Sequence, residues 1–377
     1  MIIKNGKVYT REFAFKEMNI RTDGDRISEV TEDEISPADD EEVVDAEGLY
    51  VIPGLTDLHF HGAAGADICD ATEDAIRKLA EYEYSVGVTQ ICPATMTLPA
   101  DRISDICEVA HKYERASKDE AELVGINLEG PYISPKKVGA QNPDFVQKAD
   151  VEFLRKLIEK TEHLPKLITI APEITENLEC IKALAKEIRF SVGHTMADYN
   201  EAVMGFEAGA RHMTHLYNAM PGLNHREPGP IAAGAERDDV TAEIICDGIH
   251  IAPGAIRAAF KLFGAERMIL ISDSTRATGL PDGEYELGGQ KVYKHHSAAY
   301  LLPGETENNT LAGSCTNLFG CMLKAMEFGI SAEDAIRAAT YNPAKALGIL
   351  ESYGSVEVGK RANLLLLDKN YKLLRVL

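Results

Sequence analysis

Gly54-Leu55-Thr56-Asp57-Leu58-His59-Phe60-His61-Gly62 is the stretch on which the fold turns. It reads as a short, largely buried strand ending in His-x-His. Side chains at i and i+2 share one face of a strand, so both imidazoles point the same way at its C-terminal end. That geometry suits a divalent metal. Taken alone, the stretch also admits a plainer reading, two unrelated histidines beside a turn.

Downstream of it, short β-branched apolar runs alternate with helical patterns, the signature of βα units. The expected strands are Leu55–Phe60, Thr89–Pro93, Leu123–Leu128, Leu167–Ala171, Arg189–Val192, Arg211–His215, Thr241–Cys246 and Met268–Ile271. The expected helices include Thr72–Ser85, one from about Pro99, Val151–Lys160, Glu176–Glu187, Tyr199–Ala208, Pro253–Phe263, Leu318–Phe328 and Ser331–Ala339. Eight strands with intervening helices fit an α/β fold of the (β/α)8 barrel type. A doubly wound sheet calls for a Gly-rich loop after the first strand, and none is present.

Upstream, residues 1–52 read as a small all-β unit, with strands at Val8–Thr10, Phe13–Phe15, Asn19–Thr22 and Arg26–Val30. The tail turns back to β character at 354–360 and 362–368. The two ends are expected to pair, giving a small β-sandwich domain from 1–52 and 352–377 and a barrel domain over 53–351.

The chain has 377 residues and a formal charge of −21, which argues against nucleic-acid binding through its general surface. An anionic ligand then needs a locally positive pocket. Seven widely spaced cysteines without a CxxC point to reduced thiols and a cytoplasmic protein. No signal peptide or long apolar span is legible, so no membrane role is expected.

In such barrels the chemistry gathers at the C-terminal ends of the strands. Here those ends carry His59 and His61, Glu129, Glu173, His194, His212 and His215, Asp247 with His250, and Asp273. So many ligand-type residues at corresponding positions make a purely structural reading of the whole set improbable. Glu129, His194 and His215 form a two-His, one-Glu set suited to zinc or another borderline ion. His59 and His61 supply a second site sharing Glu129. A divalent ion lowers the pKa of a water toward neutrality. Asp273, across the mouth, is placed to take that water's proton and return it to a leaving amine; as an acidic helix cap or a third ligand it would leave the base to another residue. His212 reads as structural or as a donor to a neighbour. His111 and His163 read as surface residues. His295 and His296 lie in a Gly- and Glu-rich excursion read as a flap or hairpin. Arg226, on a loop after strand six, offers the rigid fork that suits phosphate, with His250 on the next strand end and the backbone donors of Asn218 and Ala219 nearby; a salt bridge to Glu227 is the alternative for Arg226.

These residues carry a resemblance. The opening strand resembles that of the amidohydrolase superfamily. Leu128-Glu129-Gly130-Pro131-Tyr132, Val192-Gly193-His194-Thr195, Thr214-His215-Leu216-Tyr217-Asn218-Ala219-Met220, Arg226-Glu227-Pro228-Gly229, Asp247-Gly248-Ile249-His250, Ser272-Asp273, Leu311-Ala312-Gly313-Ser314 and Asn342-Pro343-Ala344 together resemble the N-acetylglucosamine-6-phosphate deacetylase family within it, from about residue 48 onward. The resemblance implies hydrolysis of N-acetylglucosamine 6-phosphate to glucosamine 6-phosphate and acetate in amino-sugar catabolism. It implies metal ligation by Glu129, His194 and His215 and acid–base work by Asp273. It also implies a sugar-phosphate site lined by Ala140, Asn218, Ala219, Arg226, Asp247, Gly248, Ile249, His250, Leu311, Ala312 and Gly313.

Family members form homodimers, in which an arginine at the Arg226 position reaches the partner's ligand. Some carry histidine where this chain has Gln141, so a ligand contact from Gln141 is a softer, uncharged one. With both His59 and His61 present, one or two ions of zinc or iron are expected. Strand four has no lysine in Ile170-Ala171-Pro172-Glu173, which speaks against a lysine-bridged pair and leaves Glu129 as the bridge. The alternatives are a metal-dependent amidohydrolase or deaminase acting on another small amide or aminopurine, and a catalytically silent barrel used for binding.

Overall fold

The computed structural model describes residues 1–302 and 310–377. Among these, eight parallel strands alternate with helices: Leu55–Asp57, Val88–Ile91, Ile126–Glu129, Pro165–Ile170, Arg189–Val192, His212–Met213, Thr241–Ile245 and Met268–Ile271. The third to the eighth pair in chain order, and the second pairs with the first. Ala94–Thr95 extends the second strand onto the third. Between the last strand and the first, the Asp273 amide donates to the His59 carbonyl at 2.9 Å. The sheet thus curls into the expected TIM-like barrel.

The strands read as continuous apolar runs because both faces are covered. Every residue of Val88–Ile91, Ile126–Glu129 and Met268–Ile271 is buried. Alternation sorts them: Ile168, Ile170, Ile244 and Leu270 join the core under the helices, while Leu167, Ile245, Ile269 and Ile271 form a separate cluster with Leu58 and Cys92. The helices start where capping chemistry allows. Thr72 Oγ1 accepts from the Ala75 amide at the head of Glu73–Ser85, and Ser331 Oγ from the Asp334 amide at the head of Ala332–Ala339.

Two short helices lie outside the sequence expectation, Gly229–Ala235 and Tyr341–Ala346. The first is nearly all small residues and shows no apolar stripe. Its smallness serves close packing, since a Cβ on Gly234 would lie 2.2 Å from Met213 Sδ.

Both chain ends meet in one seven-stranded sheet, ordered Leu373–Val376, Leu364–Leu367, Tyr50–Pro53, Ile2–Tyr9, Phe15–Asp23, Arg26–Thr31, with Val43–Asp45 beside Ile2–Tyr9. One face packs Ile3, Val8, Ile20, Val51, Leu364 and Leu366 into its own small core; Tyr9, Ile52, Leu365 and Leu367 belong to the large core shared with the barrel. Two local expectations are corrected. Phe13 lies in a turn with φ 58°, and 354–360 contains no strand, its glycine-bounded turns leading into Leu364–Leu367.

The excursion after the eighth strand is a four-stranded antiparallel sheet, Gly283–Leu287, Gln290–His295, Ala298–Leu301 and Leu311–Ser314; its segment 303–309 lies outside the described residues. His295 and His296 are exposed there, each 3.4 Å from Asp282. All seven cysteines are unpaired. No helix among the described residues is long and apolar enough to cross a membrane.

Candidate metal-dependent active site

Three strand ends turn sharply. His194, His215 and Asp273 take φ values of 45°, 24° and 49°. Such left-handed backbone is uncommon outside glycine and concentrates at functional sites. It bends each side chain back over the barrel mouth, where His59, His61 and Glu129 also arrive.

The six residues converge. Glu129 Oε1 lies 2.9 Å from His215 Nε2, 3.2 Å from His194 Nε2 and 3.3 Å from His59 Nε2. Its other oxygen lies 3.2 Å from His61 Nε2. Asp273 Oδ1 stands 3.3 Å from His61 Nε2 and 3.9 Å from His59 Nε2. His59, His61 and Glu129 form one triad able to chelate an ion, and Glu129, His194 and His215 another, all buried.

Tautomer logic tests whether a cation fits. His59 Nδ1 faces the Glu243 carboxylate at 2.8 Å, His61 Nδ1 the Ala94 carbonyl at 2.9 Å, and His194 Nδ1 the Lys137 carbonyl at 2.8 Å. Each partner only accepts, so each Nδ1 carries the proton and each Nε2 aims a lone pair at the Glu129 carboxylate. His194 Nε2 and His215 Nε2 also face each other at 3.1 Å, and His59 Nε2 is buried without a hydrogen-bond partner among the described residues. Lone pairs crowding a carboxylate repel unless positive charge sits between them. The donor set therefore fits a divalent cation.

With no cation between them, the same carboxylates draw protons onto the imidazoles in its place. Burial works against charging His59, but Glu243 and Glu129 raise it well above its usual value. Burial likewise opposes charging His61, while Asp273 and Glu129 raise it to about 10. Burial would raise the Glu129 carboxyl, yet His59 and His194 hold it well below the carboxylate range. Asp273 is also pulled down against its burial, chiefly by its hydrogen bond with His61, and so stays ionised at neutral pH.

A cavity of about 390 Å³ opens over this centre, lined by His61, Glu129, His194, His215 and Asp273 and, among the expected binding residues, by Ala140, Gln141, Asn218, Ala219, His250, Leu311 and Gly313. Gln141 is already engaged: its Nε2 donates to Glu129 Oε2 at 2.5 Å and its Oε1 accepts from the Thr97 amide at 2.6 Å. Asp247 turns to His250, accepting from His250 Nδ1 at 2.7 Å and from the amides of Ile249 and His250. Gly248 and Ile249 are exposed, and Ala312 is buried beneath the lining. Arg226 is exposed, does not line the cavity, and forms no ion pair with Glu227. Glu173 anchors the turn after His194, accepting from Thr195 Oγ1 and the Met196 amide.

Three residues escaped the sequence reading. Glu243 is fully buried between His59, His212 Nε2 at 3.0 Å and the His215 amide at 3.0 Å. A lone carboxylate inside Thr241-Ala242-Glu243-Ile244-Ile245 was the signal for it. Lys136 and Lys137 line the cavity and supply positive charge at its rim; nothing in their spacing marks them. His212 proves to be a donor to a neighbour, as expected.

Barrel and centre together define a class, the metal-dependent hydrolases built on a TIM-like barrel. A model of the Amidohydrolase family matches residues 50–376, and the chain belongs to that family. It is 36% identical over 375 residues to N-acetylglucosamine-6-phosphate deacetylase of Bacillus subtilis, spanning 98% of this chain and 93% of that one. It is 33% identical over 329 residues to N-acetylgalactosamine-6-phosphate deacetylase of Escherichia coli O157:H7, spanning 86% and 85%. Among solved structures, an aspartate-to-alanine mutant of the Mycobacterium smegmatis N-acetyl-D-glucosamine-6-phosphate deacetylase, in complex with N-acetyl-D-glucosamine-6-phosphate, superposes with a TM-score of 0.91 at 30% identity, covering 100% of this chain and 97% of that one.

Proposed function

We propose that this protein hydrolyses N-acetylglucosamine 6-phosphate to glucosamine 6-phosphate and acetate. The observation that carries the chemistry is the set of imidazole Nε2 atoms aimed at Glu129 with their Nδ1 protons already committed. The substrate comes from the near full-length likeness to deacetylases of that sugar phosphate.

Glu129, His194 and His215 would hold one ion, and His59 and His61, sharing Glu129, a second; zinc and iron both suit the donors. A bound divalent cation supplies polarisation of the amide carbonyl and acidification of water. Asp273, held ionised, takes the proton of the attacking water at a carboxylate oxygen. As the C–N bond breaks it passes that proton to the leaving nitrogen, so acetate and the free amine depart. Gln141 steadies Glu129. Asp247 holds the His250 ring toward the sugar, and Asn218, Ala219 and the Leu311–Gly313 backbone complete the lining, with Gly248 and Ile249 shaping the turn that carries His250.

Arg226 is the phosphate ligand in this reading, acting on the active site of a second subunit in a homodimer; its exposure and its distance from its own cavity support that role. The catalytic unit is 53–351, braced by the sheet of 1–52 and 352–377.

The test is acetate release from N-acetylglucosamine 6-phosphate against the unphosphorylated sugar. Equal efficiency on the two would reject the phosphate assignment. The N-acetylgalactosamine-6-phosphate deacetylase relative makes the epimeric sugar phosphate a second reading, decided by the ratio of kcat/KM for the two epimers.

A further inference from the structure

At the end of the barrel opposite the catalytic mouth lies a second cavity, of about 370 Å³. Its walls are the N-terminal ends of strands Pro165–Ile170 and Arg189–Val192, the segments leading into them and into strand His212–Met213, and the end of helix Tyr341–Ala346 with the turn after it. The walls carry Lys166, Lys186, Arg189, Arg211 and Lys345. The one lining carboxylate, Glu187, faces Arg155 at 3.6 Å. In a chain of net charge −21, such a concentration of cations runs against the average surface.

Helix dipoles explain part of it. Helices Thr175–Leu184 and Tyr341–Ala346 end here, and a lysine near a helix C-terminus is favourable by itself. That accounts for Lys186 and Lys345 one at a time. It does not account for Lys166, which lies on a strand, or for Arg189. None of Lys166, Lys186 and Lys345 forms an ion pair among the described residues, and Arg189 has no carboxylate partner. Arg189 Nη2 donates to the Arg211 carbonyl at 3.0 Å and to Thr241 Oγ1 at 3.2 Å, while its Nε is buried and unpartnered. The nearby carboxylate, Asp239, is taken by Arg211 at 3.0 Å. Burial, together with the like charge of Arg211, lowers the Arg189 guanidinium to about 10. A half-buried cation without a counter-charge is costly, and an anion in the cavity would offset that cost.

We propose that this cavity is a binding site for a phosphorylated small molecule, distinct from the substrate site. A cavity of this volume lies within the range of small-ligand pockets, and several converging cations suit the multiple charges of a phosphate group. Because strand N-termini in this fold serve stability and not chemistry, a ligand here acts on the enzyme from outside the reaction.

The experiment is amine-acylation footprinting of the intact protein with sodium pyrophosphate as probe, against sodium chloride at matched ionic strength. At a pyrophosphate concentration about ten times its dissociation constant, acylation of Lys166, Lys186 and Lys345 is expected to fall about tenfold, with Lys78, on helix Glu73–Ser85, none of whose residues lines the cavity, unchanged. The double variant Lys186→Glu with Lys345→Glu changes two exposed side chains. It is expected to abolish protection of Lys166 while leaving turnover unaltered. Unprotected lysines in the wild-type protein overturn the proposal. So does protection that extends equally to Lys78, or that persists at Lys166 in the double variant.

Discussion

Glu243 Oε2 accepts a hydrogen bond from His59 Nδ1 at 2.8 Å, and that contact decides which nitrogen of His59 faces Glu129. The same carboxylate holds His212 and the backbone of His215. A carboxylate behind a ligand histidine fixes its tautomer and raises its basicity. Replacing Glu243 by Gln puts an amide in a place built for an acceptor. Metal affinity, measured by competition with a chelator, is expected to drop about 10–100-fold with the far-ultraviolet circular dichroism retained. An unchanged affinity would remove Glu243 from the centre. Stripping the metal from the wild-type protein should lower Tm, since a ligand at about a hundred times its dissociation constant adds roughly 2.7 kcal/mol.

Asp273→Asn keeps the size and the hydrogen-bonding reach of the side chain but cannot take a proton. We expect kcat to fall by about 10²–10⁴, with substrate binding, read by calorimetry, nearly intact. A variant that turns over normally would assign the base elsewhere.

Arg226→Ala should raise KM by about 10–100-fold, the scale of one charge-assisted hydrogen bond, with kcat little changed. Chains carrying Arg226→Ala mixed with chains carrying Asp273→Asn test the cross-subunit role. Mixed dimers then contain one complete site, an intact Asp273 served by the partner's intact loop, and should recover a wild-type KM. If mixing restores nothing, Arg226 serves its own subunit.

Glu83 is fully buried on helix Glu73–Ser85, with neither carboxyl oxygen hydrogen-bonded among the described residues, and burial followed by the charge of Asp57 raises its pKa well above the usual value. Below about pH 4, the ordinary glutamate value, the group is protonated both folded and unfolded. Above it the unfolded chain ionises while the folded one keeps the proton. Stability is therefore lost as pH rises, by about 1.4 kcal/mol per unit until the folded pKa is passed. Glu83→Gln should raise Tm at about pH 8, and the gain should shrink toward about pH 4. A gain independent of pH would mean that ionisation is not its cause.

Much of the centre was legible before any coordinates. His59, His61, Glu129, His194, His215 and Asp273 each lie at or just past the end of a strand legible in the sequence, and in a barrel the end of a strand is a definite place. Glu243 and the lysines at 136 and 137 were not. Glu243 lies in mid-strand, where only the inward direction of its side chain makes it a partner for His59. The lysines sit on a loop whose path no periodicity describes.

The sequence by itself determined the order of the eight barrel strands, the joining of the two chain ends and the ligand-type residues at the strand tips. All of these follow from local chemistry: side-chain alternation, capping residues and apolar period. Tertiary structure alone decided which nitrogen of each histidine faces Glu129, that Gln141 serves that carboxylate, that Arg226 stands away from its own cavity, and that cations from separate strands and turns gather at the barrel's far end. Those relationships join residues tens to hundreds of positions apart, and hydrogen-bond partners at that distance are set by how the chain closes on itself.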